Sequence, residues 1–205
     1  MTLVGGTLPT LVDMPPVTAP SGHRDRLLVA ASRFTAEHGW AALTMGKLAE
    51  LGGVSRQTVY NEIGGKPQLA EAMVMRELAL FLDVVDGSFQ DNPHDLVAAI
   101  QTAAQRVLEM AGTDPLLHAV ISSSQGADTE LLPLLTTNSG ALLIAAGQMI
   151  REHVESYAPA LPEHRVDGLI DMVVRLVLSH VMQPAGSPRE TAETVAWIAR
   201  RVLQD

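Results

Sequence analysis

The chain has 205 residues, a formal net charge of −9 and no cysteine. This length suits one or two compact domains with a substantial core, and the lack of cysteine excludes disulfides and thiolate metal sites. Hydrophobic residues make up 47% of the chain but aromatic residues only 3%, which favours an aliphatic, alanine-rich helical core over sheets. No apolar run reaches about 18 residues without a charge, so no membrane partner is expected.

Residues 1–21 are rich in proline, glycine and threonine, a composition typical of a flexible arm. They contain no early basic residue, so we expect no secretory signal and a cytoplasmic location. Two interpretations of this arm stay open: an inert tail, or a segment that folds back on the core or reaches a partner such as DNA.

The first predicted helix spans Arg24–His38, because apolar residues recur on one face and Gly39 follows as a C-terminal stop. Its inward residues are Leu27, Leu28, Ala31 and Phe34. Trp40 and Leu43 come next and are expected to close a small core.

The following segment, TMGKLAELGGVSRQTVYNEIGGKPQL, begins at Thr44 and ends at Leu69. It predicts two short helices, a glycine turn between them and the start of a longer third helix. The hydroxyl groups of Thr44 and Ser55 are suited to cap the two short helices, and Gly52-Gly53 supplies the turn.

The second short helix carries a polar face opposite Val59 and Ile63. A DNA major groove admits one helix, whose outward residues must hydrogen-bond base edges or phosphates. Glycine-joined helix pairs also occur on surfaces with no nucleic-acid role, so that interpretation stays open here. The candidate DNA-binding residues are Thr44, Ser55, Arg56, Gln57, Thr58, Tyr60, Asn61 and Lys66.

Over residues 24–70 the chain resembles the TetR family of bacterial transcriptional regulators. The resemblance rests on the spacing of Phe34, Gly39, Thr44, Gly53-Val54-Ser55, Tyr60 and Lys66. The chain departs from the family at Glu62, usually aromatic or histidine, at Ile63, usually phenylalanine, and at Gly52, usually alanine. A carboxylate repels phosphate, so we expect Glu62 to face away from the DNA backbone or to accept from a cytosine amino group.

The resemblance implies an all-α fold of about nine helices, with a three-helix DNA-binding domain before a helical ligand-binding and dimerisation domain. We therefore divide the chain into an arm (1–21), a helix-turn-helix domain (22–65) and a C-terminal domain (66–205). The implied function is a sequence-specific DNA-binding regulator, in most members a repressor that a small molecule releases from its operator. The string VSRQTVYNEIGGKPQLAEAM also resembles actinobacterial members associated with alkane or fatty-acid metabolism.

The charge is divided unevenly along the chain. Residues 21–66 hold six basic and four acidic residues, whereas residues 67–205 hold eight basic and eighteen acidic residues. Phosphate attraction supplies much of the affinity for DNA, so the positive field is expected at the N-terminal end, with the acidic remainder orienting the approach.

Helical patterns continue through the rest of the chain, and no strand alternation or internal repeat is evident. The predicted helices cover residues 65–86, His94–Ala111, Leu116–Ser123, Ala127–Tyr157 (unbroken or interrupted near Pro133), Glu163–Met182 and a last helix capped by Ser187-Pro188.

The last two helices are very apolar, which fits either a buried core pair or a self-association face. Helix-turn-helix proteins read two half-sites about 34 Å apart, which favours a homodimer on a palindromic operator, and the family resemblance implies the same. The predicted interface residues are Leu169, Val173, Leu176, Val177, His180, Val181, Val195, Ile198 and Val202.

The family resemblance also implies a small-molecule cavity among the middle helices. Aliphatic and methionine side chains with few aromatic rings favour a flexible apolar ligand such as an acyl chain. Ordinary core packing is the alternative for each residue, and His118, Gln148 and Ser122 are the inward polar candidates. The predicted lining residues are Leu78, Phe81, Leu82, Ile100, Ala104, Val107, Met110, Leu117, His118, Ile121, Gln148, Met149 and Met172.

Nothing in the sequence indicates catalysis, a cofactor or a metal. The seven histidines lie outside any metal-ligand spacing, and the serines at 122–124 lack a nucleophile-elbow pattern. One alternative function stays open, a helical lipid-binding or interaction protein that no longer reads DNA, because Glu62 and the acidic balance oppose DNA contact.

Overall fold

The structure, a computed structural model, describes residues 22–122 and 140–204, apart from the side chains of residues 122, 141 and 142. Within these ranges it contains nine α-helices and no strand, which confirms the predicted all-α class. In chain order they are α1 (His23–His38), α2 (Met45–Gly52), α3 (Arg56–Glu62), α4 (Lys66–Asp91), α5 (Leu96–Thr113), α6 (Pro115–Ser122), α7 (Gly140–Glu155), α8 (Glu163–Met182) and α9 (Pro188–Gln204).

Most predicted boundaries lie within two residues of the observed ones, but α4 continues past its predicted end at residue 86. It stops at Asp91, where the Asn92 side chain donates to the Ser88 carbonyl oxygen at 2.9 Å and so satisfies one of the last helical acceptors. α5 begins at Leu96, two residues after the predicted start, because the Asp95 carboxylate accepts the Ala98 N–H at 2.9 Å as its N-cap. Residues 127–139 of the predicted long helix lie outside the described residues.

Side-chain caps and one glycine define the α2–α3 pair. The Thr44 hydroxyl accepts the Lys47 N–H at 3.1 Å, and the Ser55 hydroxyl accepts the Thr58 N–H at 3.0 Å, as predicted. Gly53 ends α2 in the left-handed conformation with φ 62°, which glycine adopts without steric cost.

Close packing of α1 on α2 explains the glycine at position 52. A Cβ atom there would lie 2.4 Å from Cδ2 of Leu27, whose side chain is 1% exposed. An alanine at this position would therefore require the Leu27 side chain or the two helices to shift.

The described helices form two apolar cores. The first joins α1, α2, α3 and the beginning of α4, and it includes Leu48, Val59 and Leu69, which are all fully buried. The second joins the C-terminal half of α4 with α5, α7, α8 and α9, around Ala99, Ala192 and Val195. None of the described helices is long and apolar enough to cross a membrane.

Two helices connect the cores. α4 contributes Met73 to the first core and Phe89 to the second. α6 follows α5, yet its buried residues Leu116 and Val120 pack into the first core, against α1. A displacement of α6 therefore reaches the helices that hold α3 in place.

Candidate nucleic-acid interface and ligand cavity

α3 presents a polar face to solvent and an apolar face to the first core. Val59 and the C-cap residue Ile63 are buried at 0% and 5% exposure, which fixes the rotation of the helix. The opposite face is exposed and consists of Ser55, Arg56, Gln57, Tyr60, Asn61 and Glu62, with Thr58 half-buried beside it. The structure thus brings the predicted α3 residues onto one accessible surface, as groove entry requires.

Hydrogen bonds within α3 order part of this face. The Gln57 amide donates to the Asn61 side-chain oxygen at 2.9 Å, one turn further along the helix. The Ser55 and Thr58 hydroxyl groups lie 2.8 Å apart and share a hydrogen bond beside the N-cap. Each amide of the Gln57–Asn61 pair keeps polar atoms for an outside partner.

Arg56 lies against the first turn of α2, because position 46 has no side chain. A Cβ atom on Gly46 would come within 2.8 Å of Nη2 of Arg56 and 3.0 Å of its Cζ. The guanidinium group therefore occupies the space that any other residue at position 46 would fill. No local pattern in the sequence indicates this contact, since the two residues belong to different helices.

Lys66 begins α4 and is half-buried. Its ammonium group donates to the Trp40 carbonyl oxygen at 3.1 Å and lies 4.7 Å from the centroid of the Trp40 ring. One of its three donors is thus used inside the domain, which leaves two for a phosphate. The role of Lys66 in phosphate binding stays a prediction.

Arg24 was not among the predicted site residues, yet it contacts α3. Its guanidinium group donates to the backbone oxygen of Glu62, the last residue of α3. The negative end of the helix dipole lies at the C-terminus, so the positive charge of Arg24 stabilises α3 there. The Glu62 side chain is exposed, and its predicted orientation relative to DNA stays a prediction.

A cavity of about 190 Å³ lies between α4, α5, α6, α7 and α8. In the described part of the chain 24 residues line it, of which 23 are apolar and one, Glu77, carries an ionisable group. They are Met73, Val74, Glu77, Leu78, Phe81, Leu82, Val85 and Phe89 from α4; Ile100, Ala103, Ala104 and Val107 from α5; Leu116, Leu117 and Val120 from α6; Leu143, Ala146 and Ile150 from α7; and Val173, Val174, Val177, Leu178, Val181 and Met182 from α8.

The predicted lining residues divide into two groups. The structure places Leu78, Phe81, Leu82, Ile100, Ala104, Val107 and Leu117 on the wall of the cavity. It does not place Met110, His118, Ile121, Gln148, Met149 or Met172 there. The inward orientation predicted for His118 and Gln148 is wrong, because both side chains are exposed, and the Ser122 side chain lies outside the described residues. For His118 the reason is the position of α6, which turns its apolar face toward the first core.

The predicted dimer residues also require correction. Leu169 and Val195 are buried within the subunit at 5% and 0% exposure, so neither lies on a surface that a second copy could touch. Val173, Val177 and Val181 line the cavity and are partly exposed. Leu176, His180, Ile198 and Val202 are partly exposed as well, so the role of these seven residues in a dimer stays a prediction. The same two helices expose Met172 at 39%, which the sequence analysis had assigned to the cavity, and Trp197 at 58%, which it had not singled out.

Glu77 on α4 pairs with Asp114, the residue before α6. Burial, and next a side-chain hydrogen bond with Asp114, raise the pKa of Glu77 to about 8. Asp114 also caps α6, because its carboxylate accepts the Leu117 N–H at 2.6 Å. The hydrogen bond between the two carboxyl groups joins α4 to the start of α6 at the edge of the cavity.

The described residues contain no cluster of three or more His, Cys, Asp or Glu residues that could hold a metal ion. The arrangement therefore offers two features for function. One is a polar helix face on the positively charged end of the chain, and the other is an apolar cavity whose wall includes the helix α6 that packs on that end.

Comparison with known proteins adds two family matches. A profile described as bacterial regulatory proteins, tetR family, matches residues 27–73. A second, described as bacterial Tetracyclin repressor, C-terminal domain, matches residues 95–201. The first match spans most of α1, all of α2 and α3, and the beginning of α4. The second spans most of the helices around the cavity.

Several individual proteins are similar to this chain. The HTH-type transcriptional regulator AlkX of Mycobacterium tuberculosis (strain ATCC 25618 / H37Rv) is 27% identical over 173 residues, which are 84% of this chain and 81% of the relative. Among solved structures, the TetR family repressor AlkX from Dietzia sp. strain DQ12-45-1b, implicated in biodegradation of n-alkanes, superposes with a TM-score of 0.74 at 22% identity and covers 91% of this chain and 98% of that one. The fatty acid degradation regulator FadR from Bacillus halodurans gives a TM-score of 0.53 at 17% identity, with coverage of 87% and 97%.

The two solved structures share the fold of this chain, and the C-terminal profile alone matches more than half of its length. The chain belongs to the TetR family of bacterial transcriptional regulators, which bind DNA through a helix-turn-helix.

Proposed function

We propose that this regulator is a homodimeric repressor, which binds a palindromic operator through α3 and leaves it when an apolar small molecule occupies the cavity. The exposed polar face of α3 and the local excess of positive charge support DNA binding by this end of the molecule. Two copies are required to address two half-sites, and the exposed Trp197 on α9 offers an anchor for self-association.

The observation that carries the proposal is the double role of α6. Leu116 and Val120 line the cavity and also belong to the core that supports α3. A ligand that enlarges the cavity presses on α6, and protein interiors transmit such a displacement because they are close-packed. The two α3 helices of a dimer then change their separation.

The ligand can lower DNA affinity only by as much as its own affinity differs between the DNA-bound and the released arrangement of the dimer. A coupling of about 3 kcal/mol weakens operator binding roughly 150-fold. That energy corresponds to the burial of about four methylene groups that only the released state accommodates.

The ligand we propose is a hydrocarbon chain. The almost wholly aliphatic wall supports this assignment, since such a surface offers dispersion contacts but almost no hydrogen bonds. The names of two similar proteins, which refer to n-alkane biodegradation and to fatty acid degradation, point to the same class of hydrocarbon ligand.

A gel-shift titration tests the proposal with DNA from the region upstream of the gene that encodes this chain. We expect binding at low salt, with two protein subunits on each DNA duplex, and loss of binding on addition of 1-octanol. Arg56→Ala combined with Gln57→Ala should abolish the shift, whereas Arg189→Ala on the far helix α9 serves as a control of equal charge change for Arg56. Absence of binding at low salt, with a co-purified lipid in native mass spectrometry, would instead support the alternative of a lipid-binding protein that no longer reads DNA.

A further inference from the structure

We propose that the cavity selects an uncharged hydrocarbon chain, an alkane or a primary alkanol, and rejects the fatty acid anion of the same length. This inference rests on the proposed function, because it takes the cavity as the ligand site. It restricts the ligand class from any acyl-like chain to chains whose head group is uncharged.

The first argument is the absence of any cation on the cavity wall. All fourteen lysine and arginine residues and all seven histidines of the chain lie within the described ranges, and none of them lines the cavity. Residues 1–21 and 123–139 contain no lysine, arginine or histidine. Neither segment can therefore bring a lysine, arginine or histidine side chain to a ligand.

The second argument is the cost of an unpaired charge. Transfer of a carboxylate from water to an apolar site without a counter-ion costs several kcal/mol even after the protein relaxes. An alkyl chain gains about 0.8 kcal/mol for each buried methylene group. A buried carboxylate therefore cancels the contribution of several carbons of its own chain, whereas a hydroxyl group cancels much less.

The third argument is the sign of the charge that is present. Among the described residues of the wall, Glu77 is the one that ionises, and it shares a hydrogen bond with a second acid, Asp114. A pair of carboxyl groups offers an anionic head group no counter-ion, and a negative charge on the pair repels an anion. The same pair can accept a hydrogen bond from the hydroxyl group of an alkanol.

The size of the cavity sets the length of the probe. A volume of about 190 Å³ is larger than the roughly 150 Å³ of an apolar cavity that holds benzene, so it accommodates about eight carbon atoms. 1-Octanol and octanoate are matched in chain length and differ in the charge of the head group. At pH 7.5 octanoate is ionised.

The test is isothermal titration calorimetry of the full chain with both probes at pH 7.5. We expect 1-octanol to bind at least tenfold more tightly than octanoate. Equal affinities would overturn the inference, since they would show that the carboxylate stays in water or finds a cation. Failure of both probes to bind would overturn it as well.

A variant pair identifies the source of the selectivity. Glu77→Gln combined with Asp114→Asn removes both acids while it keeps the shape, and asparagine remains a good N-cap for α6. We expect octanoate affinity to rise in this double variant, so that the ratio to 1-octanol falls at least threefold. Glu71→Gln combined with Asp83→Asn makes the same two changes at exposed positions of α4 that do not line the cavity, and it should leave the ratio unchanged. An unchanged ratio in both double variants would show that the acid pair is not the source.

DNA release separates this inference from the proposed function. If 1-octanol binds selectively but does not weaken the gel shift, the selectivity stands and the repressor mechanism fails. If octanoate binds as well as 1-octanol and releases DNA, the mechanism stands and the selectivity fails.

Discussion

The coupling between cavity and DNA can be tested by truncating one side chain of α6. Val120 is 5% exposed, lines the cavity and belongs to the core around α3. Val120→Ala removes two methyl groups, and at about 0.8 kcal/mol for each buried carbon this removes up to about 1.6 kcal/mol of contact energy. If the contact transmits the ligand's pressure, that amount is lost from a coupling of about 3 kcal/mol.

The expected result is a smaller effect of the ligand on DNA affinity, with DNA binding itself retained. A loss of about 1.6 kcal/mol corresponds to about 15-fold, so a 150-fold release by 1-octanol should fall to roughly tenfold. The assay is a set of gel-shift titrations with and without 1-octanol, with calorimetry to verify that the variant still binds the ligand.

The matched control is Val85→Ala on α4. Val85 is 8% exposed and lines the same cavity, but it belongs to the second core. The same two methyl groups are lost there, so ligand affinity changes while the coupling to DNA should persist. Equal loss of coupling in both variants would refute the idea that α6 relays the signal.

Three further predictions address other parts of the molecule. Gly46→Ala should leave the melting temperature unchanged or higher, because alanine favours helix by about 1 kcal/mol, yet it should weaken DNA binding severalfold in gel shifts by displacing Arg56, and no further loss should occur in an Arg56→Ala background. The pKa of Glu77 is raised to about 8 in the folded state, so the folded chain binds more protons than the unfolded one between about pH 4.5 and 8, and this residue makes stability fall as pH rises through that window. Glu77→Gln should therefore flatten the pH dependence of the melting temperature. Relative to the wild type, the variant should be more favourable at pH 8.5 than at pH 5, and a parallel decline of the melting temperature in both proteins would contradict the assignment. Trp197→Ala should weaken self-association at least tenfold in analytical ultracentrifugation, because a large exposed indole is the type of residue that anchors interfaces, and an unchanged dissociation constant would place the dimer contact elsewhere.

Local chemistry made the α2–α3 unit predictable from the sequence. Thr44 and Ser55 act on backbone groups three residues away, and Gly53 adopts the conformation that its turn requires. Such signals depend on neighbours in the chain, so one sequence is enough to read them. The observed start of α5 at Leu96 follows the same rule, because Asp95 was available as a cap in the sequence.

The residues of the cavity and of the dimer face were predicted less well, for a physical reason. α8 is apolar on several faces, and an apolar position fits a packed core, a cavity wall or a partner surface equally well. Periodicity marks Val173 and Leu169 alike, yet one lines the cavity and the other is buried in the core. Only the three-dimensional arrangement of the other helices around α8 distinguishes them. Contacts between distant helices, such as Arg56 with Gly46 and Arg24 with the end of α3, are hidden from the sequence for the same reason.

The distribution of cations links the two ends of the molecule. Both lysines lie in the N-terminal part, and one of them, Lys66, is held by Trp40 at the start of α4. Arg56 and Arg24 flank α3 at its two ends, where they favour an anionic partner and a stable recognition helix. The cavity has the opposite character, since no lysine, arginine or histidine lines it and the ionisable wall residue within the described ranges, Glu77, is an acid. A polyanion is therefore attracted at one end and an anionic ligand is excluded at the other, so the two sites do not compete for ligands of the same charge.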